Sequence, residues 1–204
     1  GNYSGNISNS GVLVYSGTNN QTLGGIISGT GALTQNAAST LTLAGINTYN
    51  GTTTINAGTL TIGGAGQLGA GNYSGNISNA GTFNYASSAN QTLGGIISGI
   101  GALTQNAAST LTLSGNNTYN GTTTINAGTL TIGGAGQLGA GNYSANIVNN
   151  GNFIYSGTAN QTLGGNISGT GALTHNASST LTLTGSNTYN GATTVSAGTL
   201  VLNG

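Results

Sequence analysis

The 204-residue sequence predicts an all-β fold, a parallel β-helix (solenoid), on three observations. The first is repetition. GNYSGNISN at Gly1 recurs at Gly71, and GNYSANIVN begins at Gly141, so the chain divides into units 1–70, 71–140 and 141–204. The first two units share 59 of 70 positions, and the third stops before the GAGQLGAG stretch that closes the others. The second is composition. Gly, Asn and Thr supply 40, 30 and 34 residues; Gly and Asn are poor helix formers, while Thr and Ile favour strands. The third is a short theme returning inside each unit, Ile7 to Leu13, Ile27 to Leu33 and Ile55 to Leu60. Its Ile-to-Ile spacings of 20, 28 and 22 predict about three coils per unit, within one β-helix segment spanning 1–204.

Each element follows from local pattern. Leu41-Thr42-Leu43 and Leu60-Thr61-Ile62 alternate with period two, as half-buried strands do. Strands of three to five residues are expected, separated by Gly and Asn corners that can adopt φ > 0. Differences between units indicate side-chain direction. Val12, Thr82 and Asn152 share one offset, as do Val14, Asn84 and Ile154; Ile26, Ile96 and Asn166; and Ile46, Asn116 and Ser186. Offsets that accept Asn or Ser are expected outside, because an unpaired buried amide is costly. The expected interior stacks are Ile7, Leu13, Leu23, Ile27, Leu33, Leu41, Leu43, Ile55, Leu60 and Ile62, each with its counterparts in the second and third units. Nine coils at about 4.8 Å would make a rod roughly 43 Å long, with Asn and Thr side chains hydrogen-bonding to their stacked equivalents.

Composition excludes most chemistry. There is no Lys, Arg, Asp, Glu, Cys, Met, Pro or Trp, and one His. Phosphate neutralisation on nucleic acid needs cations. Disulfides, thiolate metal sites and cysteine nucleophiles need Cys, and paired-acid hydrolysis needs carboxylates. The longest apolar run, Val12 to Tyr15, is far short of a membrane span. No signal peptide is visible and the chain starts at Gly1, as expected of a mature product or an excised segment.

The stretch STLTLAGINTYNGTTTINAGTLTIGGAGQLG, Ser39 to Gly69, recurs at Ser109 to Gly139 and again as STLTLTGSNTYNGATTVSAGTLVLNG from Ser179 to Gly204. Its TLTL-x-G strand, NTY-x-G corner and TT-[IV]-x-AGTL strand pair resemble the passenger-associated β-strand repeat of bacterial autotransporters. The resemblance implies a right-handed parallel β-helix in a secreted or surface-displayed passenger, where the repeat is linked to export and folding and has no catalytic role. Members of that family normally carry some charge, and this chain carries none.

Three residue sets merit weighing. His175 stands where the other units have Gln35 and Gln105, lacks any carboxylate to orient it, and is read as a polar surface substitution. Tyr3, Tyr15 and Tyr49 and their counterparts could face a ligand, binding sugar rings by their aromatic faces, or could pack as ladders at coil corners. Thr-x-Thr pairs at Thr40/Thr42, Thr52/Thr54 and Thr59/Thr61 suggest the flat Thr array used by several ice-binding proteins, against which unequal coil lengths argue. Gly63 to Gly66 lacks the Lys of a phosphate loop and reads as a corner.

The expectation is a structural, non-enzymatic, extracellular stalk or fibre segment with no catalytic residue, cofactor or metal. Its partner is expected to be itself, because a neutral polar surface without guarding Lys promotes association. A glycan-binding adhesin and a functional amyloid are the alternatives. Neither nucleic acid nor a membrane span is expected.

Overall fold

The computed structural model describes residues Gly1–Gly204 as a β-solenoid in which every strand pair is parallel. Short alternating segments form the strands. Thr40–Leu43 points Leu41 and Leu43 inward and Thr40 and Thr42 outward. The only helical turns are two 3-10 corners, Gly69–Gly71 and Gly139–Gly141.

Three faces run the length of the rod. On the first, the successive partners are Asn2, Thr22, Thr42, Thr61, Asn84, Thr104, Thr124, Val148 and Ser168, so coil length varies little from one turn to the next. The second face begins with Ile7–Ser8 and Ile27–Ser28 and continues through Thr48, whose N–H donates to Ile27 O, to Asn72–Tyr73, Gln91–Leu93, Thr110–Leu113, Thr129–Gly134 and Asn152–Gly157. The third begins with Val12–Tyr15, Ala32–Gln35, Thr53–Ile55, Ile77–Asn79 and Ile97–Ser98. The long strands Ala172–Leu183 and Thr193–Leu202 turn a corner and serve two faces each.

This register corrects the expected winding. Asn2 lies on the first face, but its counterpart Asn72 lies on the second. Val14, Asn84 and Ile154 occupy the third, first and second faces in turn. One unit therefore makes about three and one-third turns, and each unit is rotated by a third of a turn from the one before. The spacings of 20, 28 and 22 fail as coil lengths because every face carries an inward Ile. Ile7 and Ile27 are true neighbours, whereas Ile55 pairs with Gln35 and Asn79 on another face. About ten coils result rather than nine, a rod of roughly 48 Å.

Stacking is corrected with it. Counterparts in successive units never touch. One inward column on the first face reads Tyr3, Leu23, Leu43, Ile62, Tyr85, Gln105, Ile125 and Asn149. Large, branched and polar side chains thus alternate along the core, filling it without identical shapes in contact. Ile27, Leu33, Leu41, Leu43, Ile55, Leu60 and Ile62 are buried as expected; Ile7, Leu13 and Leu23, in the first two coils of the described rod, are half-buried. Val12, Val14, Ile26 and Ile46 are exposed, also as expected.

Asparagines behave differently from expectation. Only Asn56 and Asn126 donate to an equivalent amide, at Asn36 Oδ1 and Asn106 Oδ1, 2.9 and 3.1 Å away. More of them accept a backbone N–H from a neighbouring coil, as Asn20 does from Thr40, Asn90 from Thr110 and Asn160 from Thr180, at 2.9, 2.8 and 2.8 Å. They close backbone groups that the corners leave unpaired.

Candidate functional site

The tyrosines turn inward. Tyr49, Tyr73, Tyr85, Tyr119, Tyr143 and Tyr155 are all buried, which removes the ligand-facing reading for Tyr49. Tyr15 is half-buried and Tyr3 is 49% exposed, and both belong to the uncovered first coil; their counterparts Tyr85 and Tyr73 are enclosed. Period-two alternation places Tyr49 and Thr53 inside, where Thr53 Oγ1 lies 2.8 Å from both Tyr49 OH and Tyr73 OH. The two rings meet edge to face at 5.6 Å. Tyr73 OH also donates to Gly51 O, which fixes the sense of the chain of hydroxyls. The next unit repeats the arrangement at Tyr119, Thr123 and Tyr143. Tyr189 and Thr193 repeat its first contact, with the hydroxyls 2.7 Å apart.

Burial raises the pKa values of Tyr49, Tyr73, Tyr85, Tyr119, Tyr143 and Tyr155, because the phenolate cannot be solvated there. Tyr143 and Tyr155 are pushed up to about 12. Tyr49 and Tyr119 go well above the ordinary value, first by burial and then by the neighbouring Tyr73 or Tyr143. These groups stay neutral hydrogen-bonding struts at physiological pH.

His175 is buried, which corrects its reading as a surface residue. It stacks on Tyr155 with ring centroids 5.8 Å apart, and its Nε2 donates to Ser179 O at 2.9 Å. Gln35 and Gln105 do the same job, each Nε2 donating to Ser39 O or Ser109 O at 2.8 Å. The exchange of Gln for His therefore keeps the donor that the inner corner needs. The Ser179 hydroxyl beside it donates to Gly157 O at 2.7 Å.

Sequence reasoning missed a set of buried polar residues: Gln35, Asn47, Thr53, Asn79 and Gln91, with Gln105, Asn117, Thr123, Asn149 and Gln161 one unit on. The signal was present, since Gln35 follows Leu33 by two and must share its face. Asn47 shows why burial is tolerated. Its Oδ1 accepts Ile27 N–H at 2.9 Å, and its Nδ2 donates to Gly45 O and Gln67 O at 2.7 and 3.1 Å. Gln91 clamps Leu68 from both sides, through its N–H and C=O at 2.8 and 3.0 Å.

On the outside, the coil lengths do not break the Thr array, contrary to expectation. Thr22, Thr42, Thr61, Asn84, Thr104 and Thr124 form one column on the first face, beside Thr40, Thr59, Thr82 and Ala102. One cavity of about 400 Å³ opens at the last coil, lined by Leu183, Asn187, Tyr189, Thr193 and Leu202 among others. No set of reactive side chains converges there.

A family model described as passenger-associated-transport-repeat matches at residues 33–62, 103–132 and 178–202. No curated protein and no solved structure matches the chain. Each match covers the inward TLTL strand, the Asn–Tyr corner and the following strand pair, in step with the internal period, so three stretches of the chain are similar to the passenger-associated-transport-repeat, in line with the resemblance to the β-strand repeat of autotransporter passengers.

Proposed function

We propose that this chain is a structural stalk or fibre segment of a secreted or surface-displayed bacterial passenger, with self-association of its neutral surface as its working property. One observation carries the reading. The interior polar groups bond coil to coil, as Asn47 and Gln91 do, and none is left converging on a space where a substrate could react. Electron microscopy of the isolated chain tests it. Rods of roughly 48 Å per chain are expected, joining into longer or thicker assemblies that persist in molar NaCl. Compact globules, or assemblies dissolved by salt, would overturn it.

The aligned Thr column favours one second reading, binding to ice. Its hydroxyls and methyls repeat at about 4.8 Å between coils and about 6.6 Å along a strand, on a surface with no charged side chain to impose competing hydration. Ice-recrystallisation assays with Thr42→Lys and Thr104→Lys decide it; activity that is absent, or unchanged by both substitutions, ends the reading.

A further inference from the structure

Asn-Gly is the dipeptide in which an Asn side chain most readily loses ammonia, because a neighbour without a Cβ leaves its amide nitrogen open to react. It occurs here at Asn50, Asn120, Asn150, Asn190 and Asn203. Asn50, Asn120 and Asn150 lie on coils with a neighbour on either side, and they are held differently. At Asn150 both reacting groups are tied up: its Oδ1 accepts the Thr170 N–H at 3.3 Å, and the Gly151 N–H donates to Asn149 Oδ1 at 3.2 Å. At Asn50 and Asn120 both are free. The two side chains are exposed and bond to nothing in the chain, and neither the Gly51 nor the Gly121 N–H has an acceptor. Only the Asn backbone is held, Asn50 N–H by Gly29 O at 3.1 Å and Asn120 N–H by Gly99 O at 3.0 Å.

Close stacking of the coils requires the glycine. A Cβ on Gly51 would lie 2.3 Å from Gly31 O, and one on Gly121 would lie 2.2 Å from Gly101 O. Nothing comparable requires the Asn, whose side chain supports no part of the corner; yet Asn stands at this offset in all three units, at Asn50, Asn120 and Asn190. The one-third-turn winding places the sites on different edges of the rod. Asn50 lies at the corner between the second and third faces, and Asn120 at the corner between the third and the first.

We propose that Asn50 and Asn120 are sites of spontaneous deamidation, which turns a neutral rod into a charged one with age and so limits its self-association. Gly51 N bonds to Asn50 Cγ, the Cγ–Nδ2 bond breaks, and ammonia leaves carrying the amide proton. Water then opens the five-membered imide at either carbonyl, leaving aspartate or isoaspartate, and one negative charge, where the neutral amide stood. Asn120 and Gly121 react likewise. In a chain with no other charged side chain, such carboxylates make the surface purely negative. Like charges on facing rods then repel across a Debye length of about 10 Å at about 0.1 M salt. The effect on assembly rests on the self-associating rod proposed above; the chemistry at the corner does not.

Site-resolved mass spectrometry during storage in mildly alkaline buffer, with the chain unfolded and cut only at each sampling, follows the replacement of NH2 by OH. Labelling by isoaspartyl methyltransferase counts the isomer. Asn50 and Asn120 are expected to convert at least about tenfold faster than Asn150, which must first break two hydrogen bonds. Equal rates at the three sites, or no conversion at Asn50 and Asn120, overturn the proposal. Sedimentation of the same samples is expected to show association falling as conversion proceeds and returning in molar NaCl. A chain carrying Asn50→Gln and Asn120→Gln should hold its association longer than the parent, because the longer side chain closes a ring far more slowly. Conversion that leaves association unchanged, or an equal decline in the double variant, overturns the limit on assembly. A chain that does not associate even when fresh sinks the self-association reading instead, and the site-resolved rates still decide the chemistry.

Discussion

A buried Gln that donates to two backbone carbonyls can be exchanged for His but not for Leu. Gln105 Nε2 bonds Ala107 O and Ser109 O at 2.9 and 2.8 Å, while its Oε1 has no partner. His175 supplies the donor without bringing that orphan oxygen into the core. Gln105→His is expected to change stability by less than about 1 kcal/mol, whereas Gln105→Leu strips two buried carbonyls and should cost about 1–3 kcal/mol, read by chemical denaturation. The six enclosed tyrosines set a separate limit in alkali. Their folded pKa values are raised, to about 12 at Tyr143 and Tyr155, above an unfolded value of 10. Above pH 10 the unfolded chain loses protons that the folded chain keeps, so their contribution is complete below about pH 10 and vanishes as the pH climbs through 12. Tyrosinate absorbance should therefore rise together with loss of the β signal; ionisation of the enclosed tyrosines without unfolding would contradict the burial described for them.

At the scale of the element, corners decide which residues are allowed. A Cβ on Gly115 would run into Gly95 O, and one on Gly95 would run into Gly75 O, so this corner is a stack of backbones with no room between them. Gly115→Ala must separate two coils and is expected to cost about 1–3 kcal/mol, the usual penalty of overpacking. The closing corner has the opposite fault. Ala140 holds φ at 50°, a conformation that L residues avoid. Ala140→Gly should raise thermal stability by an amount on the order of 1 kcal/mol, since relief of the left-handed strain exceeds the added flexibility of the unfolded chain. A lower melting temperature for that variant would mean that the Ala methyl does more at the corner than strain it.

At the scale of the molecule, the one-third-turn phase makes units interchangeable. The junctions that begin with Asn72 and Asn142 have the same registers, so removal of residues 71–140 brings together surfaces that already fit. The shortened chain should fold into a rod about 16 Å shorter, that is, three and one-third coils, with a cooperative melt and an unchanged β signal by circular dichroism. Loss of cooperativity would show that the units are not equivalent. Melting in molar NaCl should match melting at low salt apart from the general effect of excluded salts, because no side-chain ion pair exists to be screened.

Alternation, corner residues and the internal repeat were enough to determine the parallel solenoid and the inward aliphatics from Ile27 to Ile62, since these depend on local spacing and composition. The winding number was decided only in three dimensions. Inward Ile and Leu occur on every face, so no local pattern says which coil lies above which, and a few extra residues at corners such as 62–82 set the phase. The side of His175, the tyrosines and Gln35 was settled by the same packing: a polar group can lie inside once a backbone partner from the next coil stands within reach, and that partner is a full turn away along the chain.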